Sequence, residues 1–150
     1  MKKILLAILL FTTSFFFSQE VIDLKVENGK KNESNVEISK DKIGLYNEKY
    51  LSFIKALKTP ANRKAIDDLL SEKVKTLVTD KILKKLSDGI DLNRKMEIFK
   101  SGHQTLLDGM SYPMIQYKYS DDKASEPKDL ITVLFEDDGK IIGVRPVEKK

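Results

Sequence analysis

From Ile43 to Leu86 apolar residues recur at every third or fourth position, and after Ser111 that spacing gives way to short runs rich in β-branched and aromatic residues. The first pattern lays an apolar stripe along helices; the second is what pleated, half-buried strands are made from. A chain that changes period in this way folds as helices followed by a sheet, not as alternating β-α-β units. The expected fold class is therefore α+β, with N-terminal helices packed on a C-terminal antiparallel three-stranded β-meander.

Ile43, Tyr46, Tyr50, Phe53, Ile54 and Leu57 mark the first helix, of about four turns, and Thr59-Pro60 ends it and starts the next. Ala65, Ile66, Leu69, Leu70, Val74, Leu77 and Val78 continue the spacing, followed by Ile82, Leu83 and Leu86. Ser71 and Thr79-Asp80 can both cap a helix, so this region reads as one long helix or as two or three short ones, closed by Gly89. Asp91 can cap a further helix with Leu92, Met96, Phe99, His103, Leu106 and Met110 on one side. Ser101-Gly102 predicts a kink or restart within it, because glycine costs about 1 kcal/mol in a helix interior. Gly109 supplies its stop.

Three strands are expected: Tyr112 to Tyr119, Leu130 to Glu136 and Lys140 to Val147. Asp137-Asp138-Gly139 is turn chemistry for an antiparallel hairpin and admits two registers. A two-residue loop pairs Phe135 with Ile142, Val133 with Val144 and Ile131 with Pro146, gathering apolar side chains on one face. A three-residue loop with Gly139 in a bulge sets Ile131 against Arg145. The side-chain pattern favours the first, and Pro146, which cannot donate to the ladder, predicts fraying there.

The N-terminal residues stand outside this domain. Met1-Lys2-Lys3 is a positive start, Ile4 to Phe11 an apolar core, and small residues follow, as in a secretory signal peptide of residues 1–18; a cut after Ser14 is the alternative. The polar segment 19–40 reads as a tether, although the alternation of Ile22, Leu24 and Val26 and of Val36 and Ile38, with Asn28-Gly29 between them, also fits a loose hairpin. Residues 41–150 form the single domain. Without cysteine the chain has neither disulfides nor a thiol for lipid attachment, so the mature protein is expected to be soluble, exported to a periplasmic or extracellular compartment, and not stably inserted in a membrane. The net charge of +4 falls to +2 when Lys2 and Lys3 leave with the leader, which argues against nucleic acid as a partner.

Catalytic and metal-binding patterns are missing from the sequence. It has no HExxH, no phosphate-cradling glycine loop and no GxSxG, and a single histidine. The pairs Asp67-Asp68, Asp121-Asp122 and Asp137-Asp138 read as solvated turns or caps, not as carboxylate dyads. Neither a metal nor a cofactor is expected. His103 is the one residue with a sharp functional reading: on its apolar stripe it would face the sheet, where Tyr117 or Tyr119 could bond it, making His103, Tyr117 and Tyr119 candidate cavity-lining residues. The bland reading of a lone histidine on such a face, a satisfied core residue, weighs more.

The run FIKALKTPANRKAIDDLLSEKVKTLVTDKILKKL, followed by DGM, a strand and ITVLFEDDGKIIGVRP, resembles small exported members of the nuclear-transport-factor-2-like (cystatin-like α+β) superfamily, in particular uncharacterised families ending in a D-G-K-I hairpin. The resemblance spans about Lys40 to Val147 and implies a cone of helices against a curved sheet. That fold hosts isomerases and dehydratases, but mostly binding or accessory domains. The expectation is an exported, non-catalytic binding or accessory domain whose partner is an unknown protein or small molecule. The alternatives are a small-cavity isomerase-like or hydrolase-like enzyme and a self-associating envelope protein.

Overall fold

The computed structural model describes residues 37–59 and 62–147. The expected signal peptide, residues 19–36 of the expected tether or loose hairpin, and the helix start expected at Pro60 lie outside the described residues. Helices α1 (Lys40–Leu57), α2 (Arg63–Asp67), α3 (Glu72–Lys75) and α4 (Asp80–Gly89) are followed by strands β1 (Met96–Thr105), β2 (Ser111–Tyr119), β3 (Ile131–Phe135) and β4 (Ile141–Pro146). The class is α+β, with helices preceding an antiparallel sheet of four strands in the spatial order β1-β2-β3-β4.

Ser39 caps α1, its hydroxyl accepting from the Lys42 N–H at 3.4 Å. The stripe buries Tyr46, Tyr50, Phe53, Ile54 and Leu57 against the sheet, and Ile38, just ahead of the cap, joins the same core. Tyr46 stacks on Phe135 of β3 with ring centroids 4.8 Å apart, and Tyr50 meets Tyr117 of β2 at 4.2 Å. Such pairs add about 1 kcal/mol each beyond their buried area and set the helix over the two central strands.

Between Arg63 and Gly89 the short-helix alternative holds. Ser71 and Thr79 are the caps, accepting from the N–H groups of Lys73 and Ile82. The gap between α2 and α3 covers part of the sheet edge: Ile141 N–H donates to the Leu69 carbonyl and Ser71 N–H to the Ile141 carbonyl, both at 2.9 Å, so this segment lies parallel to β4. Arg63 ties the pieces together, reaching Asp67 at 2.8 Å, Asp80 at 3.0 Å and the Val78 carbonyl at 2.5 Å.

The expected helix from Asp91 to Gly109 is the main correction. Met96–Thr105 is the long edge strand β1, paired with β2 from Met96–Tyr119 to Thr105–Ser111, with one irregularity between Ile98 and Lys100. The helical spacing rested on a few apolar residues, and Ser101, Gly102 and Thr105 are poor helix formers. Pairing with β2, whose Ile115, Tyr117 and Tyr119 are buried, outweighs that weak local preference. Gly109, read as a helix stop, is instead a turn glycine with φ +78°.

In the β3–β4 hairpin each of the two registers is realised in part. The Gly139 N–H donates to the Glu136 carbonyl at 2.9 Å and the Glu136 N–H to the Lys140 carbonyl at 2.8 Å, a three-residue loop with Gly139 at φ +88°. A register shift between Leu134 and Phe135 then leaves Ile142 unpaired, so that Phe135 faces Ile141 while Val133 faces Val144 and Ile131 faces Pro146. The bulge brings Ile141 and Val144, three positions apart, onto the same buried face. Fraying at Pro146 does not occur, since the Val147 N–H reaches the Leu130 carbonyl at 2.8 Å just beyond it.

Candidate functional site

The three residues singled out in the sequence do not converge. His103 lies on β1 opposite Pro113, on the face of the sheet that carries the buried Pro113 and Ile115, but with its own side chain exposed. Tyr117 pairs with Ile98, about 13 Å further along β2 at roughly 3.3 Å per residue. It is 1% exposed, its hydroxyl is buried without a hydrogen-bond partner, and burial pushes its pKa well up. Tyr50, against it, donates to the Met96 sulfur at 3.4 Å and is likewise raised by burial. Tyr119 accepts from the Asp91 N–H at 2.8 Å, lies under the Arg94 guanidinium, and borders a pocket of about 10 Å³, room for a single water. Space between α1 and the sheet is thus occupied by aromatic rings.

The acidic pairs are engaged locally. Asp121 forms a two-pronged ion pair with Arg94, which holds its carboxyl below the usual carboxylate range, and Asp122 accepts from the Ala124 N–H. Asp67 binds Arg63, and Asp138 accepts from the Lys140 N–H within its own turn. Among the described residues no three His, Cys, Asp or Glu side chains are grouped to hold a metal ion. Glu136 joins two elements, accepting from the buried Ser71 hydroxyl at 2.8 Å and lying 3.1 Å from the Lys73 ammonium. Ser71 also caps α3, which accounts for this group structurally. An open groove of about 380 Å³ runs between α1 and α2, lined by Ser52, Lys55, Ala56, Asn62, Asp68 and neighbours.

The β1–β2 hairpin is the feature left unexplained by packing. Its turn repeats the β3–β4 turn atom for atom: Gly109 N–H to the Leu106 carbonyl at 3.0 Å, Leu106 N–H to the Met110 carbonyl at 2.9 Å, Asp108 carboxylate accepting from the Met110 N–H at 2.9 Å. In both turns the aspartate and the glycine are what the backbone requires, and the remaining positions are free. The β3–β4 turn rests on α1, with Gly139 close to Leu45 and Lys49 and the Lys42 ammonium on the Asp137 carbonyl, yet its free positions are charged, Asp137 and Lys140. On the β1–β2 turn the equivalent positions are Leu107, 74% exposed, and Met110, 56% exposed. A Cβ added at Gly109 would meet nothing within 4 Å. Solvation alone favours the opposite distribution, with the apolar residues on the docked turn.

Charge is depleted around that tip. Between Lys100 and Lys118 the only charged residue is Asp108, in a sequence that is 33% charged. Burial explains this for Tyr112, Ile115 and Tyr117 of β2, but Ser101, His103, Thr105 and Ser111 are exposed and uncharged. Depletion of charge together with an exposed Met is a trait shared with the centres of protein interfaces. In the sequence the Leu-Asp-Gly-Met run reads as a helix end, which conceals this site; the matching Asp-Gly turn at 138–139 is the signal that marks it as a hairpin tip. Comparison of the chain with family models, with curated proteins and with solved structures returned no match.

Proposed function

We propose that this chain is an exported, non-catalytic docking domain whose contact surface is the distal half of the β1–β2 hairpin. The carrying observation is the inversion between the two turns: the same backbone bears charge where it is packed and Leu107 and Met110 where it is bare. The aromatic filling between α1 and the sheet supports a binding role over one built on an internal cavity. The helix-first order and antiparallel sheet are in keeping with a small exported member of the nuclear-transport-factor-2-like superfamily.

Replacing both exposed residues, Leu107→Ser with Met110→Ser, leaves the turn residues Asp108 and Gly109 in place. The double variant is expected to melt within a degree or two of the wild type, since both side chains are solvated. It is also expected to lose cross-linked protein partners recovered from the exported fraction, where intact mass should give a chain beginning near Gln19. Undiminished cross-linking by the variant, or recovery of the protein only in the cytoplasm, would count against the reading.

A further inference from the structure

We infer that the strand edge beside this tip pairs with a second copy of the chain, about a two-fold axis passing through His103. The inference rests on the docking reading and names its partner. Among the described residues nothing pairs with the outer edge of β1, whereas β4, at the other end of the sheet, is covered by Leu69–Ser71. An edge strand turns half of its backbone N–H and C=O groups away from the sheet, and proteins guard such edges with bulges, charges or proline.

β1 is guarded along one half only. Its first half carries Glu97 and Lys100 and the irregularity between Ile98 and Lys100, and Lys95 directly precedes it. From Ser101 to Thr105 the pairing with β2 is regular, and the strand has no charge, bulge or proline. What satisfies an open row of backbone donors and acceptors is another extended backbone, and this chain offers one of equal length.

An antiparallel pair centred on His103 sets Ser101 against Thr105, and Gly102 against Gln104, of the second copy. Facing residues then share a face of the sheet in both copies, as pairing demands: Ser101, His103 and Thr105 lie opposite Ile115, Pro113 and Ser111 of β2. No like charges meet. Lys100 of each copy falls opposite Leu106 of the other, beside the turn that carries Asp108, which is an attraction made twice. The interface is isologous and closed, so it ends at a dimer with one continuous eight-stranded sheet and does not propagate.

The closing experiment uses three full-length chains, wild type, His103→Glu and His103→Lys, because the exposed His103 side chain can be changed without disturbing the monomer. Light scattering should give wild type at twice the chain mass, with the amides of residues 101–105 gaining exchange protection as concentration rises. Each variant alone places like charges at the two-fold and should weaken dimerisation at least tenfold. Mixed in equal amounts, the Glu and Lys variants should restore the double mass. A wild-type monomer at all concentrations, or a mixture that stays monomeric, overturns the inference; so do protected 101–105 amides in a monomer, which would place another segment of the chain on this edge. If the wild type is monomeric while Leu107→Ser with Met110→Ser still abolishes partner cross-linking, the docking reading stands and only the self-pairing falls.

Discussion

Tyr117 is the residue whose environment most exceeds what its neighbours along the chain could specify. Its ring is packed against Tyr50, while its hydroxyl is buried and unbonded, and an unsatisfied buried hydroxyl costs about 1–3 kcal/mol. Tyr117→Phe keeps the ring and removes that cost, so the denaturation midpoint at neutral pH is expected to rise by the equivalent of about 1 kcal/mol. The same burial sets a pH dependence. Tyr50 and Tyr117 have folded-state pKa values raised above the ordinary 10.0, so the neutral phenols favour the fold; that contribution is complete below about pH 10 and is lost as pH rises further, when the unfolded chain ionises first. Stability measured by urea denaturation should be level up to about pH 9 and fall above 10, less steeply in Tyr117→Phe. A variant less stable than wild type at neutral pH would show that the hydroxyl has a partner.

At the scale of elements, the two Asp-Gly turns form an internal control. Both glycines sit at positive φ, where an alanine is strained by about 1 kcal/mol or more, but a Cβ at Gly109 meets open space while one at Gly139 comes within 3.1 Å of Lys49 and 3.3 Å of Leu45 on α1. Gly139→Ala is therefore expected to cost about 2 kcal/mol and Gly109→Ala about 1, read from chemical denaturation midpoints. Equal costs would mean that the β3–β4 turn is not seated on α1. The helix caps and breaks were legible beforehand because Ser71 and Thr79 act on N–H groups two or three residues away. β1 was not, because Leu92, Met96, Phe99 and His103 mimic a helical stripe, and only pairing with β2, whose Tyr117 packs on Tyr50 of α1, makes a strand of Met96 to Thr105. The two registers open to the β3–β4 hairpin are each realised in part for a related reason. The turn selects the three-residue loop, the core requires Val133 opposite Val144, and Ile142 is left out of the ladder so that both conditions are met.

Over the whole molecule, one core joins α1, the short helices and the inner face of the sheet, with Val133, Phe135, Ile141 and Val144 near its centre. Val144 is 2% exposed, so Val144→Asp removes about 2 kcal/mol of apolar burial and adds an unpaired buried carboxylate. The sum is expected to exceed 4 kcal/mol, enough to lower the melting temperature by well over ten degrees or to prevent folding. An unchanged melting temperature would remove Val144 from the core. That helices come first and antiparallel strands last, where α1 runs, which residues cap the short helices and which strands carry the buried face followed from the sequence alone, because period, capping and turn chemistry act within a few residues. Tertiary structure decided the rest. The fourth strand, the bulge at Ile142, the parallel cover of β4 by Leu69–Ser71, and the exposure of Leu107, Met110 and His103 depend on which strand or segment lies alongside, from the neighbouring arm of a hairpin to the distant segment on β4, and that choice is made by the packing of the whole core.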